Sequence, residues 1–406
     1  MDLKKAFRRA VLKNGITLLF EKRNLPLISI GVAVKSGGIN EASSEKGISH
    51  FIEHLLYKGT PKRNAFQIAE EIEKRGGELN GFTEEELTAY WCKIPSNQAE
   101  VGFDVLFDMV KNPLFSNEEI EKERKVIFEE IKMRKDNPQI YVLDKIQQFL
   151  YDAPLGKDLI GTYKTMSSIT REDILRRFKE VYTPNNMILS VVGDYDFEKL
   201  KNLVEKNFGN NRGNVQNFKI KRKNESRIEK RKGIDQANLI FAFHSPLANK
   251  KDSYAAEVLM SYMSGGMSSK LFTEIREKRN LAYAVKGQVN VRKDYSYSMI
   301  YVGASGENIK EIKKIILEEF KKVSENFNEG NLKQAKEQLI GRYRISMEDS
   351  EVQMTRLLFQ ELEGDASKFY NFEENVSKVS LKEVKKLASE VKEGNYSFFA
   401  LVPDKN

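Results

Sequence analysis

The chain has three histidines, and two of them, His50 and His54, stand four residues apart in GISHFIEHLLYKGT with Glu53 directly before the second. On an α-helix, positions i, i+3 and i+4 share one face, so both imidazoles and the carboxylate project into one small volume. Two neutral imidazoles can bind a metal at about 2.0–2.1 Å, and a carboxylate beside them can accept a proton from metal-bound water. Metal-assisted hydrolysis is the chemistry this spacing points to. The flanking Phe51, Ile52, Leu55 and Leu56 suit an ordinary amphipathic helix equally well, so the pair needs a third ligand.

The elements that must position the pair read as follows. Residues 9–36 form strands, with a turn at Asn14-Gly15, and the glycines at 37–38 end them before the histidine helix. An amphipathic helix over 64–75 stops at Gly76-Gly77, and ELNGFTEEELTAYWCKIP gives two short strands. A helix around 98–111 precedes a long one that Ser116 opens and Pro138 closes, rich in early acids. Further helices over 139–151 and 171–182 lead to a buried strand at 186–194. The long helix supplies Glu118, Glu119, Glu121, Glu123, Glu129 and Glu130 as carboxylates for a third ligand. Its pattern does not choose among them.

Composition bounds the alternatives. A chain of 406 residues with 40% hydrophobic and 31% charged content reads as two globular domains rather than a disordered or membrane protein. The excess of 67 basic over 59 acidic residues is dispersed among glutamates, so nucleic acid is not an expected partner. Cys92, the single cysteine, lies in an apolar stretch and reads as a buried, inert thiol. No apolar run reaches the ~20 residues that span a bilayer, and the N-terminus lacks a signal-peptide core, so no membrane partner and a cytoplasmic protein are expected.

An internal repeat appears when the chain is slid against itself by 210 residues. LISIGVAVKS (27–36) falls on ANLIFAFHSP (237–246), SITREDILRRFKEV (168–181) on KVSLKEVKKLASEV (378–391), and NNMILSVVGD (185–194) on NYSFFALVPD (395–404). A shift of 212 (117 to 329) sets NEEIEKERKVIFEEI beside EGNLKQAKEQLIGRY. The fold expected is α+β, two homologous domains over 1–207 and 233–406 joined by a linker at 208–232, each a mostly antiparallel sheet with packed helices. At the 210 offset His50, Glu53 and His54 fall on Met260, Met263 and Ser264, so only the first copy can hold metal. His244, in a strand of the second copy, reads as structural.

The inverted motif H-x-x-E-H, followed by a helix of the form ER-x-V-I-x-x-E-I, resembles the pitrilysin, insulysin and mitochondrial processing peptidase family. The resemblance runs over essentially the whole chain. It implies that Glu130, 76 residues beyond His54 (54 to 130), is the third ligand of one Zn²⁺ per chain, and that Glu123 supports the site. LNGFTEEELTAY (79–90) is similar to the family's edge strand beside the metal, which implies substrate binding at Asn80, Gly81, Phe82 and Thr83. Gly81 stands where alanine is usual, which reads as a looser backbone. SGGMSSKLFTEIREKRNLAYAV (264–285) resembles the family's glycine-rich turn and LFxxxREKxxLAY, so Arg276 and Tyr283 match the pair that reaches the substrate.

The resemblance therefore implies a zinc-dependent endopeptidase acting on extended or unfolded peptides, with Glu53 as general base and the chain as half of a clamshell. A homodimer is the expected assembly, with a heterodimer beside an inactive relative as the variant. Two readings from other classes are a non-catalytic peptide-binding subunit, against which intact Glu53 speaks, and a metal-dependent hydrolase of a small molecule, against which the duplicated second copy speaks.

Overall fold

The computed structural model describes residues 3–404. Among the described residues eleven strands form two sheets. The first sheet contains β1 (Phe7–Val11), β2 (Thr17–Lys22), β3 (Leu27–Val34), β4 (Glu78–Thr83), β5 (Thr88–Pro95) and β6 (Met187–Gly193), in the order β1-β2-β6-β3-β5-β4. The second contains β7 (Ser226–Arg231), β8 (Ala237–His244), β9 (Ala282–Val291), β10 (Ser296–Ala304) and β11 (Ser397–Pro403), in the order β7-β11-β8-β10-β9. Apart from β1 the two orders are the same. In both sheets one pair is parallel, β2 with β6 and β7 with β11, and the rest are antiparallel. The expected α+β duplication is thus the architecture of the chain.

The repeat needs one correction. In β3, Ile28, Ile30, Val32 and Val34 face the helical core, and in β8 the core face is Ala237, Leu239, Phe241 and Phe243. The equivalence is therefore 209 residues (28 to 237), not 210. A one-residue slip exchanges the two faces of a strand, and an offset of 210 would set core Ile28 against Asn238 on the opposite face. Helices keep the offset of 210: Ile174, Arg177 and Val181 of helix Arg171–Val181 are buried as are Val384, Leu387 and Val391 around helix Leu381–Glu390.

The chain divides into two compact units. Unit 1 comprises the described residues up to Ile131, Lys157–Lys219 and Ser346–Tyr370; unit 2 comprises Lys132–Gly156, Ile220–Ile345 and the described residues from Asn371. Each sheet thus takes one helix from the other half of the chain. In unit 1, helix Ser350–Leu362 lies on β3 and β6, where Ser350 Oγ is 2.9 Å from Ser29 Oγ and Ser190 Oγ donates to the Met354 carbonyl at 3.0 Å. In unit 2, helix Pro138–Leu150 lies on β8 and β11, with Phe149 stacked 5.1 Å from Phe399. The segment read as linker, 208–232, ends in β7 and so contributes a strand to unit 2. No helix among the described residues is long and apolar enough to cross a membrane.

Candidate metal centre

Helix Ile48–Leu56 buries Ile48, Phe51, Ile52, Leu55 and Leu56 in the core of unit 1, which leaves one polar face carrying His50, Glu53 and His54. Its start is fixed from outside the helix. Gly47 holds φ +99, a left-handed conformation that favours glycine, and the buried Glu41 carboxylate accepts from the backbone N–H of Gly47 at 3.0 Å and Ser49 at 2.7 Å. An acid at the positive end of a helix also complements its dipole. Lys46 stands 3.9 Å from Glu41 and 3.7 Å from Glu85, so one cation serves two buried acids whose carboxyls burial raises above the ordinary range.

The second contribution comes from helix Asn117–Asp136. Its buried stripe, Ile120, Glu123 and Ile127, recurs at helical spacing and carries Glu130 onto the same side. The six acids left open by the pattern now separate. Glu118 and Glu119 pair with Lys122, Glu121 pairs with Arg124, and Glu129 is exposed. Glu123 and Glu130 turn to the histidines.

His50 Nε2 lies 3.4 Å from Glu130 Oε2, and His54 Nε2 lies 3.7 Å from the same oxygen. One ligand atom from each of the three residues lies within 4.8 Å of the others. Two atoms each ~2.1 Å from a tetrahedral ion stand about 3.4 Å apart, so the donor set has the size and the N₂O chemistry of a three-ligand zinc site. His54 Nδ1 is 3.2 Å from Glu123 Oε2, whose other oxygen takes Lys58 Nζ at 2.8 Å. That contact puts the ring proton on Nδ1 and leaves the Nε2 lone pair to a metal. Burial alone would raise the Glu123 carboxyl and lower the His54 imidazole. Burial is the largest single influence on each, but the hydrogen bond between them together with Lys58 beside Glu123, and with the charges of Glu53 and Glu130 beside His54, outweighs it, holding Glu123 below the ordinary carboxylate range and His54 above the ordinary imidazole range.

Glu53 is not among the three residues that could hold an ion. Its Oε2 accepts from Thr83 Oγ1 at 2.6 Å, and burial raises its carboxyl above the ordinary value while the Thr83 bond opposes that rise. A carboxylate so displaced is a better proton acceptor near neutral pH. Thr83 ends β4, which is the edge of its sheet. Thr83 and Gly81 share the face toward the histidine helix. Asn80 and Phe82 alternate to the other side, where Phe82 stacks on Phe359 at 6.2 Å. The Gly81 N–H is met by its neighbour's side chain, Asn80 Oδ1, at 2.8 Å.

Gly81 has a steric reason rather than the looser backbone read from sequence. A Cβ there would come within 2.5 Å of the Tyr57 hydroxyl and 2.9 Å of the Ala89 carbonyl. Tyr57 was missed by sequence reasoning, as were Lys58 and Glu41. Lys58 had a signal, since it lies one turn beyond His54 on the same face. Cys92 is buried in the core and its thiol is pushed up to about 12 by burial, in keeping with an inert role.

Arg276 and Tyr283 are brought together in unit 2. Arg276 lies on a turn of π-helix, Phe272–Glu277, with its guanidinium 4.9 Å from the Phe272 ring centre. Tyr283 is 48% exposed, its hydroxyl 3.4 Å from that of Tyr301. Both line a concavity of about 300 Å³ with Asn280 and Asn308. His244 is structural: its ring nitrogens meet the Tyr151 hydroxyl at 3.3 Å and the Lys223 carbonyl at 3.0 Å. Helix Ser253–Ser264 of unit 2 carries no histidine, so this unit repeats the frame without the metal ligands.

Two family models cover most of the chain. Residues 18–163 match the model described as insulinase (peptidase family M16), and residues 168–339 match the peptidase M16 inactive domain. An uncharacterized zinc protease of Rickettsia felis is 35% identical over 85% of this chain and 85% of its own length. The uncharacterized zinc protease YmxG of Bacillus subtilis is 29% identical over 98% of this chain and 99% of its own. Among solved structures, a protease from Helicobacter pylori superposes with a TM-score of 0.89 at 22% identity, covering 98% of this chain and 99% of that one. A peptidase M16 inactive domain from Pseudomonas fluorescens gives 0.87 at 17%, covering 98% of each. At those identities the structural likeness is one of fold.

Proposed function

The chain belongs to peptidase family M16, the insulinase family, and from that premise we propose that it is a zinc-dependent endopeptidase cleaving extended peptide segments. The observation that carries the reading is the arrangement of His50, His54 and Glu130 around one point, with Glu53 held beside them by Thr83. His50 Nε2, His54 Nε2 and a Glu130 oxygen would hold the ion, which when bound supplies Lewis acidity for the scissile carbonyl and an acidified water. Glu53 takes the proton of the attacking water and delivers it to the departing amine nitrogen. The Glu53 carboxyl, raised above its ordinary value by burial, supports this double role, since the rise strengthens it as a proton acceptor. Glu123 keeps the His54 proton on Nδ1 throughout.

The outer side of β4 would take the peptide as an added strand, reading backbone more than side chains. The Asn80 carboxamide on the Gly81 N–H would then have to swing aside for the incoming carbonyl. Arg276 and Tyr283 are assigned to the substrate backbone, a role their shared concavity and exposure support. The reading includes the dimeric chamber expected for a chain of this length.

The test is Glu53→Gln. The purified variant should retain one zinc per chain and lose cleavage of a quenched fluorescent peptide library by ~10³-fold or more, as removal of a general base requires. A variant that still cleaves at near wild-type rate sinks the assignment of the base. Loss of zinc would make Glu53 a ligand instead.

A further inference from the structure

Three departures from regular structure meet at one concavity of unit 2. In the π-helical turn Phe272–Glu277, the Lys278 N–H reaches back five residues to the Thr273 carbonyl at 3.0 Å. Asn280, just beyond that turn, holds φ +53, a left-handed conformation that asparagine adopts more readily than most side chains. β9 then opens on a β-bulge: Ala284 pairs with Gly303 and Ala282 with Ala304, so Tyr283 is the extra residue of the ladder. Its ring lies over Gly303, where an added Cβ would collide with it. Turns and bulges of this kind re-aim side chains, and they recur at functional sites. Here they bring Arg276, Asn280 and Tyr283 to one space of about 300 Å³.

The charges of the turn set Arg276 apart from the cations around it. Lys270, Lys278 and Arg279 all meet the buried Glu274 carboxylate, at 3.4, 2.7 and 2.8 Å. Among the described residues the Arg276 guanidinium has Glu277 at 3.9 Å and the face of the Phe272 ring, and no hydrogen-bond acceptor. Its fork of N–H donors is left for a ligand. Tyr283 also keeps a proton to give. Tyr301 donates its own to Asn238 Oδ1 at 2.6 Å, and the 3.4 Å between the two tyrosine hydroxyls is a loose contact. Gln236, Ser305 and Asn308 add amides and a hydroxyl to the wall, and among the described residues no acid lines it.

One cation, several neutral donors and no acid suit a single negative charge. A carbonyl within a peptide chain offers one oxygen, whereas a carboxylate takes two parallel N–H groups of an arginine on its two oxygens. We propose, resting on the peptidase reading, that this concavity binds a carboxylate of the substrate peptide, on Arg276 with Tyr283 and Asn280 beside it. Contact with a substrate backbone then becomes selection for a charged group. The C-terminal carboxylate and an Asp or Glu side chain present the same two oxygens, and the length of chain that carries them tells them apart.

The probe is a pool of short peptides without Asp or Glu, carrying a neutral dye at the N-terminus and made both as free acids and as carboxamides. A further set of carboxamides carries one Glu at each position in turn. Binding to the zinc-loaded full chain with Glu53→Gln is read by anisotropy, so affinity is measured without cleavage. Free acids should bind about 10- to 100-fold tighter than plain carboxamides if the C-terminus is the group, and carboxamides with Glu at one position should do so if a side chain is. In the same background Arg276→Gln should bring the preference to within about twofold, and Arg276→Lys should restore part of it, since an ammonium keeps the charge without the fork. Arg276 is exposed, so thermal melts should not move in either variant. No preference for either carboxylate, or a preference that survives Arg276→Gln, overturns the proposal. A wild-type chain that selects carboxylates but cleaves no peptide would sink the peptidase reading and leave the anion site; one that cleaves without selecting them would sink the anion site alone.

Discussion

Replacing Glu123 separates metal affinity from chemistry. The carboxylate does not reach the metal point; it holds the Nδ1 proton of His54 at 3.2 Å and is itself tied to Lys58 at 2.8 Å. Glu123→Gln keeps an oxygen for that proton but removes the charge, and its amide nitrogen then competes with Lys58 for the same space. A hydrogen bond to a charged group contributes about 1.5–3 kcal/mol, which at ~1.4 kcal/mol per decade corresponds to a 10- to 100-fold weaker zinc affinity. Partners of metal-bound histidines lose affinity over the same range when mutated. Glu123→Ala should fall at the far end, because the N–H is left without an acceptor in a largely buried setting. Zinc affinity is measured by competition with a fluorescent chelator near pH 7.5, and peptide cleavage is measured at saturating zinc. Cleavage should recover most of its wild-type rate once zinc is restored, since Glu53 and Thr83 are untouched. A zinc affinity within twofold of wild type in both variants would refute the argument. A fully loaded variant that stays inactive would place Glu123 in proton transfer rather than in holding His54.

Two further outcomes follow from the surroundings of the site. Gly81→Ala drives a methyl against the Tyr57 hydroxyl, so it should cost about 1–3 kcal/mol of stability in urea melts and lower kcat/KM; adding Tyr57→Phe should restore part of both, and no rescue would sink the steric account. Glu85 is buried beside Lys46, and burial pushes its carboxyl from an ordinary 4.5 up to about 8, so the folded state binds a proton that the unfolded chain has already released. Its contribution to stability is present below pH ~4.5 and is lost as pH rises to about 8, with roughly 5 kcal/mol as the upper bound. Wild type should therefore lose more stability than Glu85→Gln between pH 5 and 8.5, and parallel curves would exclude that proton.

What could be read from the sequence divides along a physical line. Information carried within one helix or strand was legible: the spacing of His50, Glu53 and His54, the strands, the caps, and the duplicated order of elements. Information about which elements meet was not. The helix Asn117–Asp136 carries acids all along its length, and only the cations that take Glu118, Glu119 and Glu121 leave Glu123 and Glu130 to the histidines. Without that packing, family likeness had to choose Glu130. The helices Pro138–Leu150 and Ser350–Leu362 were readable as amphipathic, yet an apolar stripe does not name the sheet it will cover, and each lies in the unit built mostly from the other half of the chain. Likeness along the chain also scores residue types and is blind to strand faces, which is why 210 looked as good as 209. Glu41 shows the same limit at one residue. In ASSEKG company it reads as a solvated turn acid, but it is buried and bonded to two amides at the start of the histidine helix.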